Sequence, residues 1–139
     1  MILKDKRIYI VEDNPNNIYI VQMILRKHGA VLQADWWASG KPERLLGAMP
    51  LNLIILDLVL ADGRSGFDIF DEIRSNLPML ANVPIIAVSA VDPSSAIPRA
   101  MEQGFAGFIS KPVDADRFPQ QIAAVMNGEK VWQTGPIDI

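Results

Sequence analysis

Acidic, hydroxyl and lysine side chains follow several short apolar segments of this sequence. Glu12 and Asp13 follow RIYIV, Asp57 follows LNLIIL, Ser89 ends VPIIAVS and Lys111 follows FAGFIS. Carboxylates that lie together repel one another unless a cation sits between them, and a lysine can hold an anion beside them. Residues of these types therefore suit a site that binds a hard cation and stabilises a phosphoryl group during its transfer.

Asp57 is itself a candidate nucleophile, because a carboxylate is ionised at neutral pH and needs no general base. Carboxylate oxygens favour Mg²⁺ over softer metals. The chain has no cysteine and one histidine, His28, which excludes disulfides, thiolate zinc sites and any site that needs two histidines. We therefore expect an aspartyl phosphate that is coordinated through Mg²⁺ and paired with Lys111.

The overall composition is that of one globular domain. The chain has 139 residues, half of them apolar, and a net charge of -3, which fits a single core and gives no basic field for nucleic acid. Its apolar runs are too short for a signal peptide or a membrane span. These features predict a cytoplasmic protein that binds neither nucleic acid directly nor a membrane.

Short apolar runs alternate with segments of helical period, which is typical of an α/β fold with a parallel sheet. Strands are predicted at Arg7–Val11, Val31–Trp36, Leu51–Leu56, Val83–Ser89 and Phe105–Ser110. Helices are predicted from Asn14-Pro15 to Gly29, at Pro42–Met49, at Gly66–Leu77, from Asp92-Pro93 to Gly104, and between Asp114 and Asn127. Asn14 is predicted as the N-cap of the first helix, with Pro15 at the first helical position. Because parallel strands end at one edge, the polar residues listed above should meet there.

Four motifs, VEDN (11–14), LDL (56–58), VSA (88–90) and FISKP (108–112), together resemble the signature of response-regulator receiver domains of two-component signalling. The resemblance covers residues 4–128 and leaves 129–139 as a C-terminal tail. It implies a flavodoxin-like, doubly wound three-layer sandwich with a five-stranded parallel sheet in the order 2-1-3-4-5, for which a receiver is one of the established examples.

The resemblance also implies which residues bind the cation and which residue accepts the phosphoryl group. Asp57 matches the phosphoacceptor. Glu12 and Asp13 match the acidic pair that binds Mg²⁺, Asp13 directly and Glu12 often through water. Val59 matches the position whose backbone carbonyl is a further metal ligand.

Other residues match the parts that respond to the phosphoryl group. Ser89 matches the switch hydroxyl, Phe108 the aromatic that turns inward when this hydroxyl moves, and Lys111 the lysine that pairs with the phosphate. Pro112 matches a proline that is often preceded by a cis peptide bond, which would aim Lys111 into the site.

Two departures from the family pattern lie beside the acceptor. Receivers usually carry a proline shortly after the acceptor and then a glycine, but here position 61 is Ala and Gly66 comes one residue late. The side chain at position 59 is apolar and, in the family, lies near the phosphate. We therefore predict an unusual phosphate lifetime, and an altered loop path between residues 61 and 66.

The resemblance implies a signalling phosphoacceptor rather than an enzyme, although it would assist its own phosphoryl transfer and dephosphorylation. Its partners would be a histidine kinase or a histidine phosphotransfer protein and a downstream protein. A homodimer through the fourth helix, fifth strand and fifth helix is also implied, with Arg99, Glu102 and Arg117 as surface positions. Residues 129–139 are too few for a DNA-binding domain.

Three alternatives remain open at this stage. The chain could be a receiver-like interaction module that acts without phosphorylation. An aspartyl-phosphate phosphatase of the same architecture would need a second Asp at position 59, which is Val. A flavodoxin-like carrier would need an FMN phosphate loop, and the acidic EDNPNN segment would repel that phosphate.

Overall fold

The computed structural model describes residues 1–35, 42–60 and 63–133. Its elements in chain order are β1 (Arg7–Val11), α1 (Pro15–Arg26), β2 (Val31–Asp35), a 3₁₀ segment (Pro42–Ala48), β3 (Leu53–Leu56), α2 (Gly66–Asn76), a second 3₁₀ segment (Pro78–Leu80), β4 (Ile85–Ser89), α3 (Pro93–Gln103), β5 (Gly107–Ser110), α4 (Phe118–Met126) and β6 (Val131–Trp132). None of the helices in these ranges has the length and apolar composition of a membrane-spanning helix.

The strands form one parallel sheet in the order β2-β1-β3-β4-β5-β6. Successive side chains of a strand point to opposite faces, and β3 separates two cores in this way. Ile54 and Leu56 pack with α2 and α3, whereas Leu53 and Ile55 pack with α1 and α4. The α/β architecture and the predicted order of the first five strands are confirmed.

The start of α1 is fixed directly after the predicted acidic pair. The side-chain oxygen of Asn14 accepts the backbone N–H groups of Asn16 and Asn17 at 2.9 and 3.2 Å. Pro15 occupies the first helical position, where a missing N–H costs nothing. The buried residues of this helix are Val21, Ile24 and Leu25. The predicted cap is therefore present, and an apolar stripe holds the helix against the sheet.

The helix predicted at Pro42–Met49 is wrong in type, because Pro42–Ala48 forms a 3₁₀ segment. The described residues therefore hold four α-helices rather than five. Leu45 and Ala48 are the buried positions here, and a helix with three residues per turn places such a pair on one face. The predicted end of the second strand at Trp36 lies outside the described residues.

The sheet has a sixth strand that the sequence did not predict, so the predicted number of five strands is corrected. Val131 and Trp132 pair with Gly107 and Phe108 of β5. A Cβ on Gly107 would lie 2.6 Å from the backbone oxygen of Val131, so the glycine permits this close approach. Part of the predicted tail thus lies on the sheet edge, and the domain boundary at residue 128 stays a prediction.

Candidate functional site

The carboxyl ends of β1, β3, β4 and β5 converge on one polar site. Glu12 and Asp13 follow β1, Asp57 follows β3, Ser89 ends β4 and Lys111 follows β5. Glu12, Asp57 and Ser89 are buried, whereas Asp13 and Lys111 are partly exposed. The parallel sheet thus brings together groups that are far apart in the sequence.

Asp57 accepts hydrogen bonds on both of its carboxylate oxygens. The Ser89 hydroxyl donates to Oδ1 at 2.7 Å, and Lys111 Nζ lies 2.9 Å from Oδ2. The backbone N–H of Val59 also donates to Oδ1, at 3.2 Å. These donors orient the carboxylate, while the Val59 side chain remains 60% exposed two residues along the chain.

Glu12 is the second carboxylate held by Lys111 and is only 4% exposed. Lys111 Nζ lies 2.9 Å from Glu12 Oε2. Glu12 Oε1 accepts the side-chain Nδ2–H of Asn17 at 3.2 Å and the backbone N–H of Asn14 at 3.3 Å. Sequence reasoning missed Asn17, because its contact with Glu12 depends on the rotamers of both side chains.

The pKa values of Glu12, Asp57 and Lys111 depend on burial and on the charges of the other two groups. Burial and the neighbouring Asp57 raise the pKa of Glu12 to about 7, despite the bond with Lys111. Burial opposes ionisation of Asp57 as well, but its interaction with the neighbouring Glu12, the ammonium of Lys111 and the Ser89 hydroxyl lower its pKa. Burial disfavours the charged form of Lys111, but its two carboxylate partners outweigh burial and raise its pKa. Asp57 is therefore ionised at neutral pH, where a negative charge on Glu12 is costly.

The three acidic side chains can serve one cation. Glu12, Asp13 and Asp57 each offer a carboxylate oxygen, and these oxygens lie within 4.8 Å of one another. When all three are ionised they outnumber the ammonium group of Lys111, so a divalent cation would reduce their repulsion. The donor set contains oxygen and lacks nitrogen and sulfur, which fits Mg²⁺.

Backbone pairing joins the described residues on the two sides of the loop that follows Asp57. Val59 and Ser65 form an isolated antiparallel bridge, and the N–H of Gly66 donates to the carbonyl of Leu58 at 3.2 Å. A Cβ on Gly66 would overlap the carbonyl oxygen of Asp57. Gly66 therefore lies against the backbone of Asp57, directly after β3, although it comes one residue later than the glycine of the family pattern. Position 61 lies outside the described residues.

Phe108 and Pro112 complete the set of predicted residues. Phe108 is fully buried on β5 and packs in the core that α2 and α3 share. The Lys111–Pro112 peptide bond is cis. The ring of Phe108 thus lies in the core, whereas the other predicted residues lie at the carboxyl edge of the sheet.

Comparisons with known protein families and with known proteins point to the same family. A model of the response regulator receiver domain matches residues 8–123. Protein PilH of Pseudomonas aeruginosa is 29% identical over 88% of this chain and 98% of PilH. The transcriptional regulatory protein GlrR of Escherichia coli is 30% identical, but the match covers 86% of this chain and only 26% of GlrR.

A solved structure shows the same fold. The non-phosphorylated HemR receiver domain from Leptospira biflexa superposes with a TM-score of 0.75 and 25% identity, and the match covers 96% of this chain and 100% of that chain. The family model spans most of the described sheet and both of its cores. On this evidence the chain belongs to the response regulator receiver domain family.

Proposed function

We propose that this chain is the phosphoacceptor of a two-component or phosphorelay pathway, and that Asp57 takes up the phosphoryl group in a reaction that depends on Mg²⁺. The observation that carries the proposal is the placement of an ionised, buried Asp57 between the Ser89 hydroxyl and the Lys111 ammonium. A histidine kinase or a histidine phosphotransfer protein would donate the phosphoryl group.

In the proposed transfer, an Asp57 carboxylate oxygen attacks phosphorus and the bond from phosphorus to the donor histidine nitrogen breaks. The electron pair of that bond returns to the imidazole, which takes its proton from solvent. Asp57 needs no base, because its neighbours already hold it ionised. Lys111 and Ser89 donate to Asp57 before transfer and are close enough to move onto phosphoryl oxygens afterwards.

The Mg²⁺ would be held by Glu12, Asp13, Asp57 and the Val59 carbonyl. When bound, it would neutralise negative charge on the phosphoryl oxygens. Three carboxylate oxygens within 4.8 Å support this assignment. Without such charge, the approach of an anionic phosphoryl group to an acidic cluster would be opposed by repulsion. Lys111 alone is shared between two carboxylates.

The output would be a changed protein-interaction surface. Ser89 would follow the phosphoryl group, and Phe108 on the neighbouring strand would adjust its packing. The face made by α3, β5 and α4 is the proposed contact for a downstream protein or a second copy of the chain. Because β6 pairs along β5, such a contact would include β6 as well.

Incubation with acetyl phosphate tests this function directly, with intact mass as the readout. The parent should gain one phosphoryl group in Mg²⁺ and none in EDTA, and Asp57→Asn should gain none. Asp116→Asn is a matched control, because Asp116 is an exposed aspartate outside the Glu12, Asp13 and Asp57 cluster. Failure of the parent to gain a phosphoryl group, while a control receiver is labelled, would instead favour an interaction module that acts without phosphorylation.

The lifetime of the aspartyl phosphate is a separate part of the proposal. The Val59 side chain is exposed and apolar beside Asp57, so it offers an attacking water no hydrogen bond. We expect Val59→Asn to lose the phosphoryl group several-fold faster than the parent after removal of acetyl phosphate. Equal decay of the two proteins would show that Val59 does not set the lifetime.

A further inference from the structure

Asn17 connects the first turn of α1 to the acidic pair. Its backbone N–H donates to the Asn14 side chain at 3.2 Å, and its side-chain Nδ2–H donates to Glu12 Oε1, also at 3.2 Å. The backbone of Asn17 is thus fixed by the helix cap while its side chain reaches the buried carboxylate. A donor carried on an anchored helix is held more precisely than one on a loop.

The two oxygens of Glu12 face different donors. Oε1 accepts from Asn17 and from the backbone of Asn14, whereas Oε2 contacts Lys111. A glutamate has several rotatable bonds, and donors on both sides select one rotamer. Lys111 contacts only one of the two Glu12 oxygens, Oε2, and also contacts Asp57.

We propose that Asn17 is a positioning residue, which fixes the Glu12 carboxylate for Mg²⁺ binding. This inference rests on the proposed function, because it concerns the same acidic cluster. Groups that orient metal-binding carboxylates typically change metal affinity by roughly 10- to 100-fold. Since the Asn14 N–H still donates to Glu12 when the Asn17 amide is lost, the expected effect is smaller than this range, about threefold to tenfold.

The test compares Mg²⁺ dissociation constants by isothermal titration calorimetry on the full chain. Asn17→Leu keeps the approximate size of the side chain and removes its donor, and Asn17→Ala removes the donor with a residue that favours helix. Asn16→Leu is the matched control, because the Asn16 side chain is exposed on the same turn. We expect Mg²⁺ affinity to fall about threefold to tenfold in both Asn17 variants and to stay unchanged in the control.

A double-mutant cycle separates positioning from general stability. In a Glu12→Gln background, the effect of Asn17→Ala on Mg²⁺ affinity should largely disappear, because Asn17 then has no carboxylate to orient. Urea unfolding in EDTA reports any loss of stability independently.

Three results would overturn the inference. Equal Mg²⁺ affinity of the parent and both Asn17 variants would refute the positioning role of Asn17 and leave the proposed metal site standing. An effect of equal size in the Glu12→Gln background would assign Asn17 a role that bypasses Glu12. A parent chain that binds no Mg²⁺ would overturn the metal site of the proposed function and this inference with it.

Discussion

Lys111 is the residue on which the electrostatics of the site depend. Its ammonium lies 2.9 Å from a carboxylate oxygen of both Glu12 and Asp57. Removing one member of a buried ion pair leaves the others uncompensated, which is usually strongly destabilising. Loss of the lysine would therefore disturb both carboxylates, and the protonation of each one depends on the charge of the other.

The raised pKa of Glu12 predicts a pH-dependent stability that Glu12→Gln removes. Its pKa is about 7 in the folded chain against an ordinary value of 4.5, so the folded state binds more protons than the unfolded state between these values. The contribution of Glu12 to stability is therefore complete below pH 4.5 and is lost as the pH rises through about 7.

We expect the free energy of unfolding of the parent, relative to Glu12→Gln, to fall by about 2 to 3 kcal/mol between pH 4.5 and pH 8. Urea unfolding of both proteins in EDTA across this range measures the difference. Glu129→Gln serves as a control, since Glu129 is exposed and should show no such window. A constant difference between parent and Glu12→Gln would contradict the raised pKa.

At the scale of secondary structure, the first residue of α2 packs closely against the backbone of Asp57, directly after β3. Gly66 has no side chain, and a Cβ there would overlap the Asp57 carbonyl oxygen. Gly66→Ala must therefore displace either α2 or the Asp57 backbone. We expect a loss of about 1 to 3 kcal/mol in the free energy of unfolding, as for other overpacked positions, together with weaker phosphorylation by acetyl phosphate.

Gly47→Ala is the matched control for that substitution, because a Cβ at Gly47 meets no atom within 4 Å. It should leave both stability and phosphorylation close to the parent values. If Gly66→Ala behaved like Gly47→Ala, the close approach between α2 and the acceptor strand would be refuted.

β6 offers a second test at this scale, because a two-residue strand has few bonds to hold it. The Gln133 N–H donates to the carbonyl of Phe108 at 2.8 Å, and Gly107 allows the approach of Val131. We expect Gly107→Ala to detach β6 and to cost about 1 to 2 kcal/mol of stability.

Amide hydrogen exchange measures this detachment directly. Protection of the Val131 and Gln133 amides should be lost in Gly107→Ala, while the amides of β3 and β4 remain protected. Unchanged protection of Val131 would show that β6 tolerates the added methyl group and that the glycine is not required there.

For the whole molecule, periodicity predicted the alternation of strands and helices, and the resemblance to receiver domains implied the order of the first five strands. β1 was placed at its observed bounds, because a short apolar run followed by an acidic pair, an Asn cap and a Pro is an unambiguous local signal. The polar residues that follow β1, β3, β4 and β5 lie together for a topological reason, since parallel strands deliver their carboxyl ends to one edge.

The parts that the sequence missed depend on tertiary contacts. Nothing local distinguishes the 3₁₀ segment at Pro42–Ala48 from a short α-helix, and β6 is too short to show a period. Asn17 became recognisable only when the rotamer of Glu12 placed a carboxylate oxygen beside its amide. Hydrogen bonds between side chains of this kind follow from three-dimensional geometry and leave no spacing rule in the sequence.

The central claim is that Asp57 carries the phosphoryl group, and borohydride trapping followed by peptide sequencing in a mass spectrometer tests it most directly. Reduction of an aspartyl phosphate gives homoserine, so the chain treated with acetyl phosphate and Mg²⁺ should yield homoserine at position 57. Homoserine at position 13, or none in a sample where a control receiver is trapped, would contradict the assignment.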